Sequence, residues 1–161
     1  MENKVILLVE DSDDDVTLTR LAMKKNNILN DVIVVQNGLE AIDYLFGKGK
    51  YSGRDINQQP ELILLDLRMP KMDGIEALHH IRADPRTTYL PVVILTSSKE
   101  DIDRVESYQL GANSYVQKPV DFDGLVAAVK QLKLCWLVVN RASGEVCRNL
   151  GQTALSESSR E

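Results

Sequence analysis

Apolar residues gather in five short runs along this chain: Lys4–Val9 (KVILLV), Asp31–Val35 (DVIVV), Glu61–Asp66 (ELILLD), Leu90–Leu95 (LPVVIL) and Ser114–Gln117 (SYVQ). The first, third and fourth are continuous rather than alternating. Such runs predict strands buried on both faces, which belong to parallel sheets covered by helices. The second run is β-branched and predicts a strand on propensity. Between the runs, apolar residues recur at helical spacing. The stripes are Val16, Leu18, Leu21 and Ala22; then Leu39, Ala41, Ile42, Leu45 and Phe46; then Ile75 to Arg82; then Ile102, Val105 and Tyr108; and last Phe122, Leu125, Val126, Val129 and Leu132. Strand and helix alternate five times, which predicts an α/β fold with a doubly wound five-stranded parallel sheet and right-handed crossovers. Ser97 or Ser98 is placed to cap the fourth helix, and Asp121 or Asp123 the last. The polar segment Gly47 to Gln59 is long for its place and is expected to be the most mobile.

Past Leu132 the pattern changes. Leu134, Cys135, Trp136, Leu137, Val138 and Val139 are apolar all round, and a helix of that kind is buried. Leu134, Cys135 and Val138 fall off the stripe that covers the sheet, so they are expected to form the interface of a homodimer. Residues 141–161 are polar and expected to be disordered. The chain thus divides into one domain over residues 1–140, with an extended last helix, and a tail.

The strand ends carry the candidate chemistry. In an open α/β sheet, ligands bind at the carboxyl ends of the strands. The order of the runs brings Glu10, Asp11, Asp66, Thr96 and Lys118 to that edge. Acids at a helix start are ordinary, which accounts for Asp13, Asp14 and Asp15 but less well for Glu10 and Asp11. Three carboxylates at one mouth repel each other unless a divalent cation sits among them, and few hard oxygens suit Mg²⁺. Asp66, after the strand expected to be central, is the candidate nucleophile. Lys118 offers a point charge for phosphate oxygens and Thr96 a directed hydroxyl. His79 and His80 are adjacent, point apart on a helix and make a poor metal pair.

Composition narrows the setting. The 161 residues are 43% hydrophobic and 27% charged, with a net charge of -5. That balance disfavours direct nucleic-acid contact, which needs a basic face. No apolar run approaches the ~20 residues of a membrane span. The start of the chain runs straight into a strand, with no secretory signal expected. Cys135 and Cys147 lack metal-like spacing, which suits a reduced, cytoplasmic setting.

Val9-Glu10-Asp11-Ser12, Leu65 to Gly74 (LDLRMPKMDG), Ile94-Leu95-Thr96-Ser97 and Tyr115-Val116-Gln117-Lys118-Pro119 together resemble the receiver domain of two-component response regulators. The resemblance runs from about Lys4 to Val139. It implies the flavodoxin-like strand order 2-1-3-4-5 and a signalling protein rather than an enzyme. It implies Asp66 as phosphoacceptor for a histidine kinase, and Mg²⁺ held by Asp11, Asp66 and the backbone carbonyl of Arg68, with Glu10 acting through water. Lys118 would pair with the phosphate, before a cis bond to Pro119, and Thr96 and Tyr115 would form the switch. The loops are most similar to the single-domain regulators of cyanobacterial phytochromes, which implies a phytochrome partner. No DNA-binding output domain is expected. Arg68, two residues past the acceptor, either covers the site or is simply solvated, with solvation the favoured reading.

Two other classes compete. A phosphatase of the haloacid dehalogenase type needs a second acid two residues after the nucleophile, where Arg68 stands. A pseudo-receiver or flavodoxin-like binding module would be expected to lack Lys118 or the acidic pair, and a flavin would want a phosphate-cradling loop where Glu10 to Asp15 is acidic.

Overall fold

The computed structural model describes residues 5–25, 28, 30–107, 109, 111–120, 123–125 and 127–128. Strand β1 (Val5–Val9) leads through helix α1 (Asp13–Lys25) to β2 (Asp31–Val35), and α2 (Gly38–Phe46) follows. A short 3-10 turn (Gly49–Tyr51) then precedes β3 (Leu62–Asp66), α3 (Gly74–Ala83), β4 (Val92–Thr96), α4 (Lys99–Ser107) and β5 (Ser114–Gln117). All pairings are parallel and the order is β2-β1-β3-β4-β5. This is the doubly wound sheet expected, with β3 in its centre. Residues 123–125 and 127–128 are helical. The expected dimer residues Leu134, Cys135 and Val138, and the tail 141–161, lie outside the described residues.

Side chains alternate across each strand, so continuous apolar runs feed two cores at once. Leu7, Val9, Ile63, Leu65, Val92 and Ile94 pack on one face with Leu45, Leu78, Ile81 and Val105 from α2, α3 and α4. Ile6, Leu8, Leu62, Leu64, Val93 and Leu95 pack on the other with Ala22 and Met23 of α1 and with Leu125 and Ala128. Four of the five residues of β3 are apolar and essentially sealed.

The stripe expected on α1 is shifted. Leu18 and Leu21 are exposed, while Thr19, Ala22 and Met23 are buried. Val16, Thr19, Ala22 and Met23 follow the three-and-four spacing of one face, with a threonine in the middle that conceals it.

The segment from Gly47 to Gln59 is tied down rather than loose. The Arg54 guanidinium donates to the carbonyls of Tyr44 at 2.6 Å, Gln58 at 2.7 Å and Leu45 at 3.3 Å. It also lies 4.1 Å from the centroid of the Tyr44 ring, and Tyr51 packs edge-on against that ring.

Candidate functional site

The site is assembled where β1, β3, β4 and β5 end. Two glycines let the loops close over those ends. A Cβ on Gly74, the first residue of α3, would overlap the Asp66 carbonyl oxygen. Only a glycine lets α3 start that close behind Asp66. A Cβ on Gly38 would stand 2.5 Å from the Met72 carbonyl oxygen, to which the Gly38 N–H donates at 2.9 Å. Caps fix the helix starts: Ser12 accepts from the Asp15 N–H, Asn37 from Glu40, Asp73 from Glu76 and Ser98 from Asp101. Ser98 is therefore the α4 cap, one of the two candidates.

Lys118 is the hub. Its Nζ lies 2.6 Å from Glu10 Oε2, 2.9 Å from Asp15 Oδ2 and 3.1 Å from Asp66 Oδ2. The Lys118–Pro119 peptide bond is cis, as the resemblance implied, and the Lys118 N–H donates to the Thr96 carbonyl at 2.9 Å, locking this loop to β4. The second oxygen of Asp66 accepts the Arg68 N–H at 3.3 Å. Carboxylate oxygens of Glu10, Asp11 and Asp66 all lie within 4.8 Å of one another. Glu10 and Asp66 are buried and Asp11 is exposed at the mouth. The cleft they line, with Thr96 and Lys118, has a volume of about 390 Å³.

The charge here does not balance. One ammonium faces three carboxylates at ion-pair distance, with Asp11 beside them. Burial pushes the Glu10 carboxyl up to about 7, against the pull of Lys118, and Asp66 adds to the rise. Lys118 is held well above the ordinary lysine range by Glu10, Asp15 and Asp66 although burial opposes it. Clustered hard oxygens with uncompensated negative charge are the donor set of a divalent cation.

The expected residues Glu10, Asp11, Asp66, Thr96 and Lys118 are therefore brought together. Tyr115 stands opposite Ile94 in the β4–β5 register and Thr96 opposite Gln117, so Tyr115 and Thr96 are two positions apart on one face of the sheet. Tyr115 is half-buried, and burial raises its phenol. The Arg68 side chain is largely solvated, 72% exposed, as the favoured reading expected, though it is not without a partner. Its guanidinium is bidentate on Asp101, with Nε 2.8 Å from Oδ2 and Nη2 3.3 Å from Oδ1. Asp101 is in turn held below the ordinary carboxylate range, first by Arg68. His79 and His80 are exposed on α3.

Two residues escaped the sequence reading. Asp15 is not only a helix-start acid, since it holds Lys118. Asp101, in the first turn of α4, is 2% exposed. Acids suit both positions for dipole reasons alone, which hid them.

Among the described residues no helix is long and apolar enough to cross a membrane. The sequence pattern of the response regulator receiver domain matches residues 6–130. Response regulator Rcp1 of Synechocystis sp. is 39% identical over 134 residues, covering 83% of this chain and 89% of Rcp1. A crystal structure of the Mn(2+)-bound form of Rcp1 matches with a TM-score of 0.67 at 37% identity, over 85% of this chain and 99% of that one. The bacteriophytochrome response regulator RtBRR matches with a TM-score of 0.80 at 41% identity, over 98% of this chain and 96% of its own. The phosphorylated cyanobacterial phytochrome response regulator RcpA matches with a TM-score of 0.67 at 37% identity, over 84% of this chain and 94% of its own.

Proposed function

This chain belongs to the response regulator receiver family, and from that membership we propose that it accepts a phosphoryl group on Asp66 from a histidine kinase of the phytochrome type. The observation that carries this reading is the Asp66 carboxylate at the end of the central strand, 3.1 Å from Lys118 Nζ and clustered with Glu10 and Asp11. The kinase class rests on the likeness to the bacteriophytochrome response regulator RtBRR and the cyanobacterial phytochrome response regulator RcpA. In the transfer, an Asp66 oxygen forms a bond to phosphorus while the phosphorus–nitrogen bond to the kinase histidine breaks. The imidazole leaves with that electron pair and takes up a proton.

Lys118 supplies positive charge to the arriving phosphoryl oxygens, and Glu10 and Asp15 hold its ammonium at the cleft. The residues fit Mg²⁺: Asp11, Asp66 and the Arg68 carbonyl would hold it directly, and Glu10 through water. When bound it neutralises phosphoryl charge. Thr96 turns its hydroxyl to the phosphoryl group, and Tyr115 follows into the space that this loop movement leaves. The output is thus a change of shape in a signalling protein rather than turnover of a substrate. We also propose a homodimer through Leu134, Cys135 and Val138, on the strength of the apolar residues beyond the stripe.

A phosphotransfer assay tests the function. Purified phytochrome-type kinase, first labelled on its histidine, is mixed with this protein and Mg²⁺. Label moves to the regulator within the mixing time and stays on the kinase in EDTA. Label that never leaves any kinase of this class, while the regulator is phosphorylated by a small phosphodonor, would refute the kinase assignment.

A further inference from the structure

Asp101 was assigned no role by any motif, yet its carboxylate gathers donors from three elements. Arg68, from the loop after β3, binds it through Nε at 2.8 Å and Nη2 at 3.3 Å. Thr96, at the end of β4, has its hydroxyl 3.4 Å from Oδ2 and 3.5 Å from the Ser98 carbonyl oxygen. Arg104, three residues along α4, lies 3.8 Å away. The carboxylate is 3% exposed, whereas the Arg68 side chain is 72% exposed. Two hollows adjoin at this point. The phosphoryl cleft is lined by both Arg68 and Thr96. A second hollow of about 470 Å³ is lined by Arg68, Asp101 and Arg104, and the two share Asp11 and Arg68. Arg68 thus stands on the wall between them, turned toward Asp101.

We propose that Asp101 is a positioning residue for phosphorylation: it holds the Arg68 guanidinium and the Thr96 proton away from Asp66, so that a phosphoryl group must win both donors from it. The proposal rests on Asp66 being the phosphoacceptor. A phosphoryl group brings close to two negative charges and three strong acceptor oxygens. Those oxygens compete with one carboxylate for the same cation and the same hydroxyl. An arginine planar fork serves either acceptor well. The Thr96 hydroxyl has one proton to give, so its contact with Asp101 and a bond to the phosphoryl group exclude each other. The competition also reaches α4. An Asp101 carboxylate stripped of two donors is a buried charge with fewer partners, which is costly unless the helix start moves or hydrates. The response of α4 to phosphorylation is then built into the same contact.

Beryllofluoride, which with Mg²⁺ occupies a carboxylate as a phosphoryl mimic, is the probe. Asp101→Asn keeps the shape and removes the charge that holds Arg68. The variant should bind beryllofluoride about tenfold tighter than the parent in calorimetry, the size of one charge-assisted hydrogen bond set free. Arg68→Gln, on an exposed side chain, should remove that gain when combined with Asp101→Asn. A purely structural role would instead weaken binding or leave it unchanged. If the parent binds beryllofluoride and Asp101→Asn binds it no tighter, the positioning role is refuted. Should Asp101→Asn fold poorly, Arg68→Gln alone decides: the proposal requires weaker binding than the parent, and unchanged binding overturns it. A parent that binds no beryllofluoride at all refutes the phosphoacceptor reading instead, so the two failures are distinguishable.

Discussion

At the scale of single residues, the site works by keeping charge in excess. Glu10 shows the consequence most clearly. Its folded carboxyl is raised from 4.5 to about 7, so the folded state holds a proton that the unfolded state has lost between those values. Protons therefore favour folding in that window, and stability is lost as pH rises from about 4.5 to about 7, then levels. Melting curves in EDTA should show this decline, and Glu10→Gln should flatten it. Saturating Mg²⁺ should shrink the decline in the parent, because a cation favours the charged carboxylate. An equal slope in parent and variant would contradict the burial argument. Glu10, Asp11, Asp66, Thr96 and Lys118 were legible in the sequence because each ends a strand, where an apolar run stops on a polar residue. Asp15 and Asp101 were not. Each sits in the first turn of a helix, and a local explanation sufficed until tertiary contacts were known.

Among the elements, the tight junction is between β3 and α3. Gly74 has backbone rather than a yielding side chain facing its missing Cβ. Gly74→Ala must therefore push α3 away from Asp66. It should lower stability by about 1–3 kcal/mol, as overpacking does, and slow phosphorylation at the same time. Thermal unfolding and a rate with a small phosphodonor check both; an alanine variant with parental stability would show that the junction is slack. The loop Gly47 to Gln59 makes the opposite point. Its polar, glycine-bearing composition suggested mobility, yet one arginine holds it to the end of α2. Arg54→Ala should expose this loop to limited proteolysis and cost on the order of 2 kcal/mol, with cleavage mapped by mass spectrometry. Equal cleavage in parent and variant would contradict the clamp. Such a contact was illegible because its acceptors are carbonyls, which every sequence has. The α1 stripe misled for a related reason: the face is carried by Thr19 and Ala22, and the larger Leu18 and Leu21 drew attention to the wrong side. Strand number and the doubly wound parallel sheet were legible, since five continuous or β-branched runs alternating with amphipathic stretches leave few parallel topologies; the strand order was an expectation of the resemblance to receiver domains.

For the molecule as a whole, metal binding and folding are linked. Mg²⁺ that binds only the folded cluster should raise the melting temperature with concentration. Asp11→Ala should diminish that shift, and an undiminished shift would exclude Asp11 as a ligand. The homodimer belongs to this scale too. Light scattering should show a dimer that Leu134→Glu with Val138→Glu dissociates, and a parent that stays monomeric at high concentration would contradict the pairing. The central claim is that one carboxylate, Asp66, takes the phosphoryl group. Treating the protein with a small phosphodonor and Mg²⁺, reducing the acyl phosphate with borohydride and mapping the peptides tests it directly. The account predicts homoserine at position 66 alone, and no phosphoryl mass on Asp66→Asn. A reduced residue elsewhere, or a phosphoryl group that persists on Asp66→Asn, would contradict it.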